Sequence, residues 1–236
     1  MIERIPDPEK IERRIPDTLL PREGGPQFPE ITKKDLLELA DEGWERIGII
    51  VLLLNPDGEI LAIMHGADNP KVPEGTMGII SETLTYDANS VEQPVPGISR
   101  LLSEELGLSP QEIQALNVEA EEHGAWDPVA FPIGGERKAL GLVIVLRANQ
   151  ASINILSSGG PSRLSRKEKI HFSGFMRPEP LAHESPSVSE RFRKGTSPAL
   201  QAAMRQLTSP DKKKRVELPA PAEELEYEDL KDLLRP

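Results

Sequence analysis

The chain has 236 residues, 37% of them hydrophobic, enough for one sizeable core but not clearly for two. It contains no cysteine, so disulfide staples, thiolate zinc sites and cysteine nucleophiles are excluded. The net charge of -11 argues against a nucleic-acid backbone as a bulk partner. With no apolar signal core and no apolar run of membrane length, a soluble cytoplasmic protein is the expectation and no membrane partner is expected.

Residues 1–30 hold six prolines, several charges and no sustained period, so they read as a solvated arm. A short capped helix is expected from Thr32 to Glu42, leading into Trp44. Residues 47–54 are a continuous apolar, partly β-branched run, the mark of a buried strand. Asn55-Pro56-Asp57-Gly58 signals a turn, and residues 59–65 return as a second strand. Pro73 to Gly78 forms a loop whose Gly75 and Gly78 allow sharp turning and close approach of backbone to a phosphate.

Pro94 and Pro96 predict an extended lead-in, so the next helix is expected over about 97–106, with Ile98, Leu102 and Leu106 buried. Ser109-Pro110-Gln111-Glu112 is a capping box that opens a short helix over 110–116. Residues 139–148 read as a central strand, 152–155 alternate as a more exposed strand, and 170–176 form a late strand. Ser197-Pro198 caps a last amphipathic helix carrying Ala199, Leu200, Ala203, Met204 and Leu207. The tail from 209 opens with Lys212-Lys213-Lys214-Arg215 and then turns acidic. Its Leu225, Leu230, Leu233 and Leu234 sit at roughly helical spacing, read as an end helix lying on its own domain or as disorder, ahead of a short helix docking a protein partner.

The chemistry concentrates in Arg100-Leu101-Leu102-Ser103-Glu104-Glu105-Leu106-Gly107-Leu108. On a helix Arg100 and Glu104 are one turn apart and pair, while Glu104 and Glu105 project side by side off the apolar stripe. Two oxygen ligands on a rigid element suit a hard cation whose shell a substrate phosphate completes. The run resembles the second half of the Nudix box, in which Arg-Glu is followed by an apolar residue, any residue, Glu-Glu, any residue, Gly and an apolar residue. The glutamate expected directly after the arginine is Leu101 here. Upstream, Pro73 to Gly78 and Ser81-Glu82-Thr83 resemble the glycine loop of that family and the Gly-Glu-Ser/Thr element after it. The family glutamate eight residues before the arginine corresponds to Glu92. If Glu82 is the loop glutamate instead, about ten residues are inserted before Arg100. Glu82 is the preferred equivalent.

The resemblance implies an α/β fold, a Nudix-like mixed β-sheet sandwiched between helices. It covers residues 44–208, with a Pro-rich extension at 1–43 and a charged tail at 209–236. It also implies Mg²⁺- or Mn²⁺-dependent hydrolysis of a nucleoside diphosphate derivative or related pyrophosphate. Glu104, Glu105 and Glu82 would hold the metal, Glu105, Glu104 and Arg100 would serve catalysis, and Gly75 and Gly78 would shape the phosphate loop. Leu101 favours the alternative, a catalytically impaired Nudix-fold module that binds a nucleotide or protein partner.

From Arg163 to Arg215 there are 13 Lys and Arg against 5 Asp and Glu. Arg163, Arg166, Lys167, Lys169, Arg191, Arg193 and Lys194 are therefore candidate contacts for the phosphates of a small ligand. His65, His123, His171 and His183 show no metal-ligand spacing, and His123 stands out only for its neighbours Glu121 and Glu122.

Overall fold

This computed structural model describes residues 13–65, 75–87, 90–134, 137–157, 170–177, 199, 202–203, 206–208, 212–222 and 230–234. In chain order the elements are α1 (Lys33–Asp41), β1 (Arg46–Leu54), β2 (Ile60–His65), β3 (Met77–Gly78), β4 (Ser81–Thr83), α2 (Pro94–Leu106), α3 (Pro110–Ala115), β5 (Val118–Glu121), β6 (Trp126–Gly134), β7 (Arg137–Ala148), α4 (Gln150–Ser157), β8 (Ile170–Met176) and β9 (Lys213–Val216). Short 3-10 turns occur at Asp17–Leu19 and Leu230–Leu234.

The continuous apolar run of β1 is explained by burial on both faces. Ile47, Ile49, Val51 and Leu53 enter one core, while Ile50, Leu52 and Leu54 enter a second. The first core takes Leu36 and Leu39 of α1, Ile98, Leu102 and Leu106 of α2, and Ile113 of α3. On the other face lie Ala199, Ala202 and Ala203, which are helical. The result is a mixed α/β layering, with helical residues on both sides of one sheet.

The sheet runs β3-β2-β1-β7-β5-β9. β1 lies parallel to β7 along its whole length, from Arg46 opposite Ala139 to Leu54 opposite Arg147. β2 touches β1 only where Ile60 faces Leu54, just past the turn with Gly58 at φ +80°. It then diverges to pair with β8 and β3. The opened edge of β1 is filled by β4, which sets Glu82 opposite Ile49 and Thr83 opposite Gly48.

Three expectations need correction. Residues 152–155 are not a strand but lie within α4. The Asn149 side chain accepts the Ser152 N–H at 2.9 Å, which caps the helix, and Ser152 and Leu156 face inward one turn apart. The alternation of Ile153 and Ile155 is incidental to that helix.

The helix α2 starts at Pro94, without the extended lead-in. Pro94 and Pro96 fall among the first four positions, whose N–H groups have no partner inside a helix anyway. The residues from 13 to 31 are no solvated arm. Ile15, Leu19 and Ile31 are buried in the first core, and the ring N–H groups of Trp44 and Trp126 donate to the carbonyls of Arg14 and Leu19.

The tail lies on its own domain, as one reading of its leucine spacing expected. β9 pairs antiparallel with β5, and the Lys213 ammonium contacts the Glu121 carboxylate, its pKa lowered by burial. Leu230 is fully buried, with its N–H on the Glu45 carbonyl, so that apolar position is used within the chain. Of the last helix, Ala199 and Ala203 are buried as expected, while Leu200 and Met204 lie outside the described residues.

Candidate functional site

Helix α2 carries the site. Gly107 ends it at φ +64°, with its N–H on the Ser103 carbonyl, the left-handed αL stop that suits glycine, and the Leu108 N–H reaches the Leu102 carbonyl. Packing of Ile98, Leu102 and Leu106 fixes the helix rotation. Arg100 is then held beside β4, 5% exposed.

Among the described residues its guanidinium makes four hydrogen bonds. Nε and Nη2 donate to the two Glu92 oxygens at 2.9 and 2.8 Å, a two-point pair. Nη2 also donates to the Thr83 carbonyl at 2.7 Å, and Nη1 donates to Glu104 at 3.2 Å. Glu82 Oε2 lies 3.8 Å from Nη1. Burial alone would lower the Arg100 pKa, but the hydrogen bonds and charge of Glu92, helped by Glu82 and Glu104, raise it.

Both candidate loop glutamates therefore reach Arg100. They do so because the segment between β4 and α2 doubles back. Tyr86 bridges Val91, and the Glu92 N–H donates to the Thr85 carbonyl at 2.8 Å. The Thr85 N–H and hydroxyl both donate to Glu92 Oε2, at 2.9 and 3.1 Å. Glu92, eight residues before Arg100, makes the tight pair, whereas Glu82, the preferred equivalent from sequence, makes the looser one.

Glu82 meets Glu104 instead. Glu82 is pushed up to about 7, chiefly by burial and further by Glu104, against the pull of Arg100 and the Thr83 N–H. Glu82 and Glu104 both lie against Arg100 Nη1, at 3.8 and 3.2 Å. They are also hard oxygen donors on rigid elements, matching a Mg²⁺ or Mn²⁺ ion that takes one or two carboxylates and completes its shell with phosphates and water. To that extent the donor set fits.

The third position does not contribute. Leu101 is fully buried among the residues of the first core, and Glu105 beside it is only 3% exposed. Among the described residues no group of three His, Asp or Glu side chains is disposed to hold a metal ion.

Gly75 keeps a left-handed φ of +75°, and its N–H donates to the His65 carbonyl at 2.9 Å. Gly78 sits in β3 opposite Ile63, four residues before Glu82. The basic residues Arg163, Arg166, Lys167, Lys169, Arg191, Arg193 and Lys194 lie outside the described residues. His123 Nδ1 is 2.6 Å from the Gly25 carbonyl, a loop contact. The residues that sequence reasoning missed are Thr83 and Thr85, whose backbone and hydroxyl complete the hold on Arg100 and Glu92. Only their proximity to Glu82 and Glu92 could have flagged them.

No protein-family model matches the chain, and no curated protein matches it. Among the described residues no helix is long and apolar enough to cross a membrane. Solved structures similar to the chain include a MutT protein from Methanosarcina mazei Go1, at 14% identity and TM-score 0.41, covering 70% of this chain and 96% of that one. A NUDIX hydrolase from Nitrosomonas europaea is similar at 9% identity and TM-score 0.44, covering 67% and 88%. The dihydroneopterin triphosphate pyrophosphohydrolase of E. coli is similar at 11% identity and TM-score 0.38, covering 70% and 99%.

Proposed function

We propose that this protein is a Nudix-like hydrolase of a small pyrophosphate-containing ligand, a nucleoside diphosphate derivative or a related compound, working with Mg²⁺ or Mn²⁺. The observation that carries the reading is the convergence of the Glu82 and Glu104 carboxyls on Nη1 of Arg100, at 3.8 and 3.2 Å, beside a helix that resembles the second half of the Nudix motif. Glu104 and Glu82 would hold the cation, with Glu105 behind them and Gly75 and Gly78 shaping the approach of the phosphates. A cation bound there would neutralise diphosphate charge and polarise the attacking water. Arg100 holds the Glu104 carboxylate at 3.2 Å, and Glu82 would bind the cation in its ionised form.

The test is phosphate release from a panel of nucleoside diphosphate derivatives, with Mg²⁺ and with Mn²⁺, for the native protein and for Glu104→Gln and Glu105→Gln. Release by the native protein that is lost in Glu104→Gln supports the reading. The second reading, a catalytically impaired module that binds such a ligand without cleaving it, is favoured by Leu101, which stands in the core where the family has a carboxylate. Saturable binding of a panel compound with no release under either metal would decide for it.

A further inference from the structure

Gln93 lies between Glu92 and the first residue of α2, and it occupies the N-cap position without capping, since its side chain makes no bond to the helix N-terminus. Its amide points instead to the N-terminal segment. The Ile31 N–H donates to Gln93 Oε1 at 2.9 Å, and Gln93 Nε2 donates to the Ile31 carbonyl at 2.9 Å. A third bond, from Nε2 to the Val91 carbonyl at 3.1 Å, ties the same amide to the doubled-back segment that ends in Glu92. The side chain thus satisfies both polar groups of one buried peptide position, as a neighbouring strand would. Ile31 is 2% exposed, so those groups have no alternative in water.

The neighbours make this placement consequential. Glu92 is one residue away and holds Arg100 through two oxygens, and Arg100 in turn holds Glu104. On the other side of the amide, the chain from Arg13 to Ile31 is anchored independently. The ring N–H of Trp44 donates to the Arg14 carbonyl, that of Trp126 donates to the Leu19 carbonyl, and the Thr18 hydroxyl donates to Asp35. Val91 and Val95 pack on the same core from the α2 side.

We propose that Gln93 is a positioning residue for the Arg100 carboxylate cluster, and that through it the N-terminal segment is part of the site. The amide of Gln93 holds the start of α2 in register with Ile31, which sets where the Glu92 carboxylate meets the Arg100 guanidinium. For the purpose of the cluster this rests on the reading of Glu82 and Glu104 as a cation site; for the coupling itself it does not.

The test uses the full chain and two independent readouts, the hydrogen exchange of the Arg100 Nε–H followed by NMR and Mn²⁺ binding followed by EPR. Gln93→Leu removes all three amide bonds at similar volume. It should speed Arg100 Nε–H exchange by about tenfold or more and weaken Mn²⁺ binding by a similar factor. Trp44→Phe removes one bond to the same segment at Arg14, far from the helix start. It should lower Tm while leaving the Arg100 exchange as in the native protein. Gln93→Asn, an amide one methylene too short to reach Ile31, gives the same readout if Gln93→Leu does not fold. The proposal is overturned if the Gln93 variants lower Tm with Arg100 exchange unchanged, or if Trp44→Phe speeds that exchange equally, which would be general loosening. A native protein that binds no Mn²⁺ overturns the cation reading alone, and the exchange arm still decides the coupling.

Discussion

Glu92 and Arg100 meet through two oxygens and two nitrogens at 2.9 and 2.8 Å, although Glu92 precedes the helix and Arg100 lies nearly two turns inside it. The pairing needs the segment after β4 to fold back on itself, and it is buried, with 6% of the Glu92 side chain and 5% of the Arg100 side chain exposed. Water therefore does little to replace either partner. Removing the carboxylate by Glu92→Ala should lower the unfolding free energy by about 3–5 kcal/mol in urea titrations, because it leaves a buried guanidinium short of charge. Glu92→Gln, which still accepts one bond, should cost less, about 1–3 kcal/mol. A loss below about 1 kcal/mol for both, typical of surface pairs, would contradict the buried geometry.

The second prediction concerns pH. Burial, with Glu104, pushes Glu82 up to about 7 from the ordinary value of 4.5. The folded state then holds this proton more tightly than the unfolded chain does. Its contribution is complete below pH 4.5, declines as the pH rises toward about 7, and is gone above that. The span is on the order of 2–3 kcal/mol, allowing for the partial exposure of the side chain. In Glu82→Gln the side chain stays neutral at every pH. Its Tm should lose this decline and exceed the native value above pH 7, and thermal unfolding across that range reads it directly.

Leu101 gives a prediction of opposite sign to simple motif repair. Because it is fully buried in the first core, Leu101→Ala should cost about 2–5 kcal/mol. Leu101→Glu should cost more at neutral pH, since an ionised carboxylate would enter an apolar interior. Part of that loss should return as the pH falls and the side chain becomes neutral. If Leu101→Glu is as stable as the native protein at pH 7 with Mg²⁺ absent, the side chain has reached a polar cleft and the burial argument fails.

Gly48 of β1 lies opposite Thr83 of β4. A Cβ there would stand 2.6 Å from the Glu82 carbonyl oxygen and 3.3 Å from the Thr83 Cα. Both are backbone atoms, so the strand itself would have to move. Gly48→Ala should cost about 1–3 kcal/mol and displace Glu82 from Glu104. The displacement would show as a fall in the Glu82 pKa, followed by carboxyl NMR, since the burial that chiefly raises it would be relieved and Glu104 would be farther away.

Local sequence determined what local chemistry controls. The apolar run of β1, the turn before β2, the capping boxes at Thr32 and Ser109, and the Gly107 stop were all readable, because each depends on residues a few positions apart. The Arg100–Glu104 pair was readable for the same reason, being one helical turn. The helix α4 was not, because two isoleucines mimic a strand period that only the Asn149 cap and the burial of Ser152 overrule. Nor could spacing choose between Glu82 and Glu92. Both converge on one guanidinium only when β4 fills the edge that β2 leaves and the chain doubles back between Thr85 and Glu92. The fate of position 101 was likewise a tertiary decision. Its helix face is shared with Glu104 and Glu105 in any sequence drawing, but the packing of α2 on β1 turns Leu101 into the core, since burying leucine is favourable where burying a carboxylate is not.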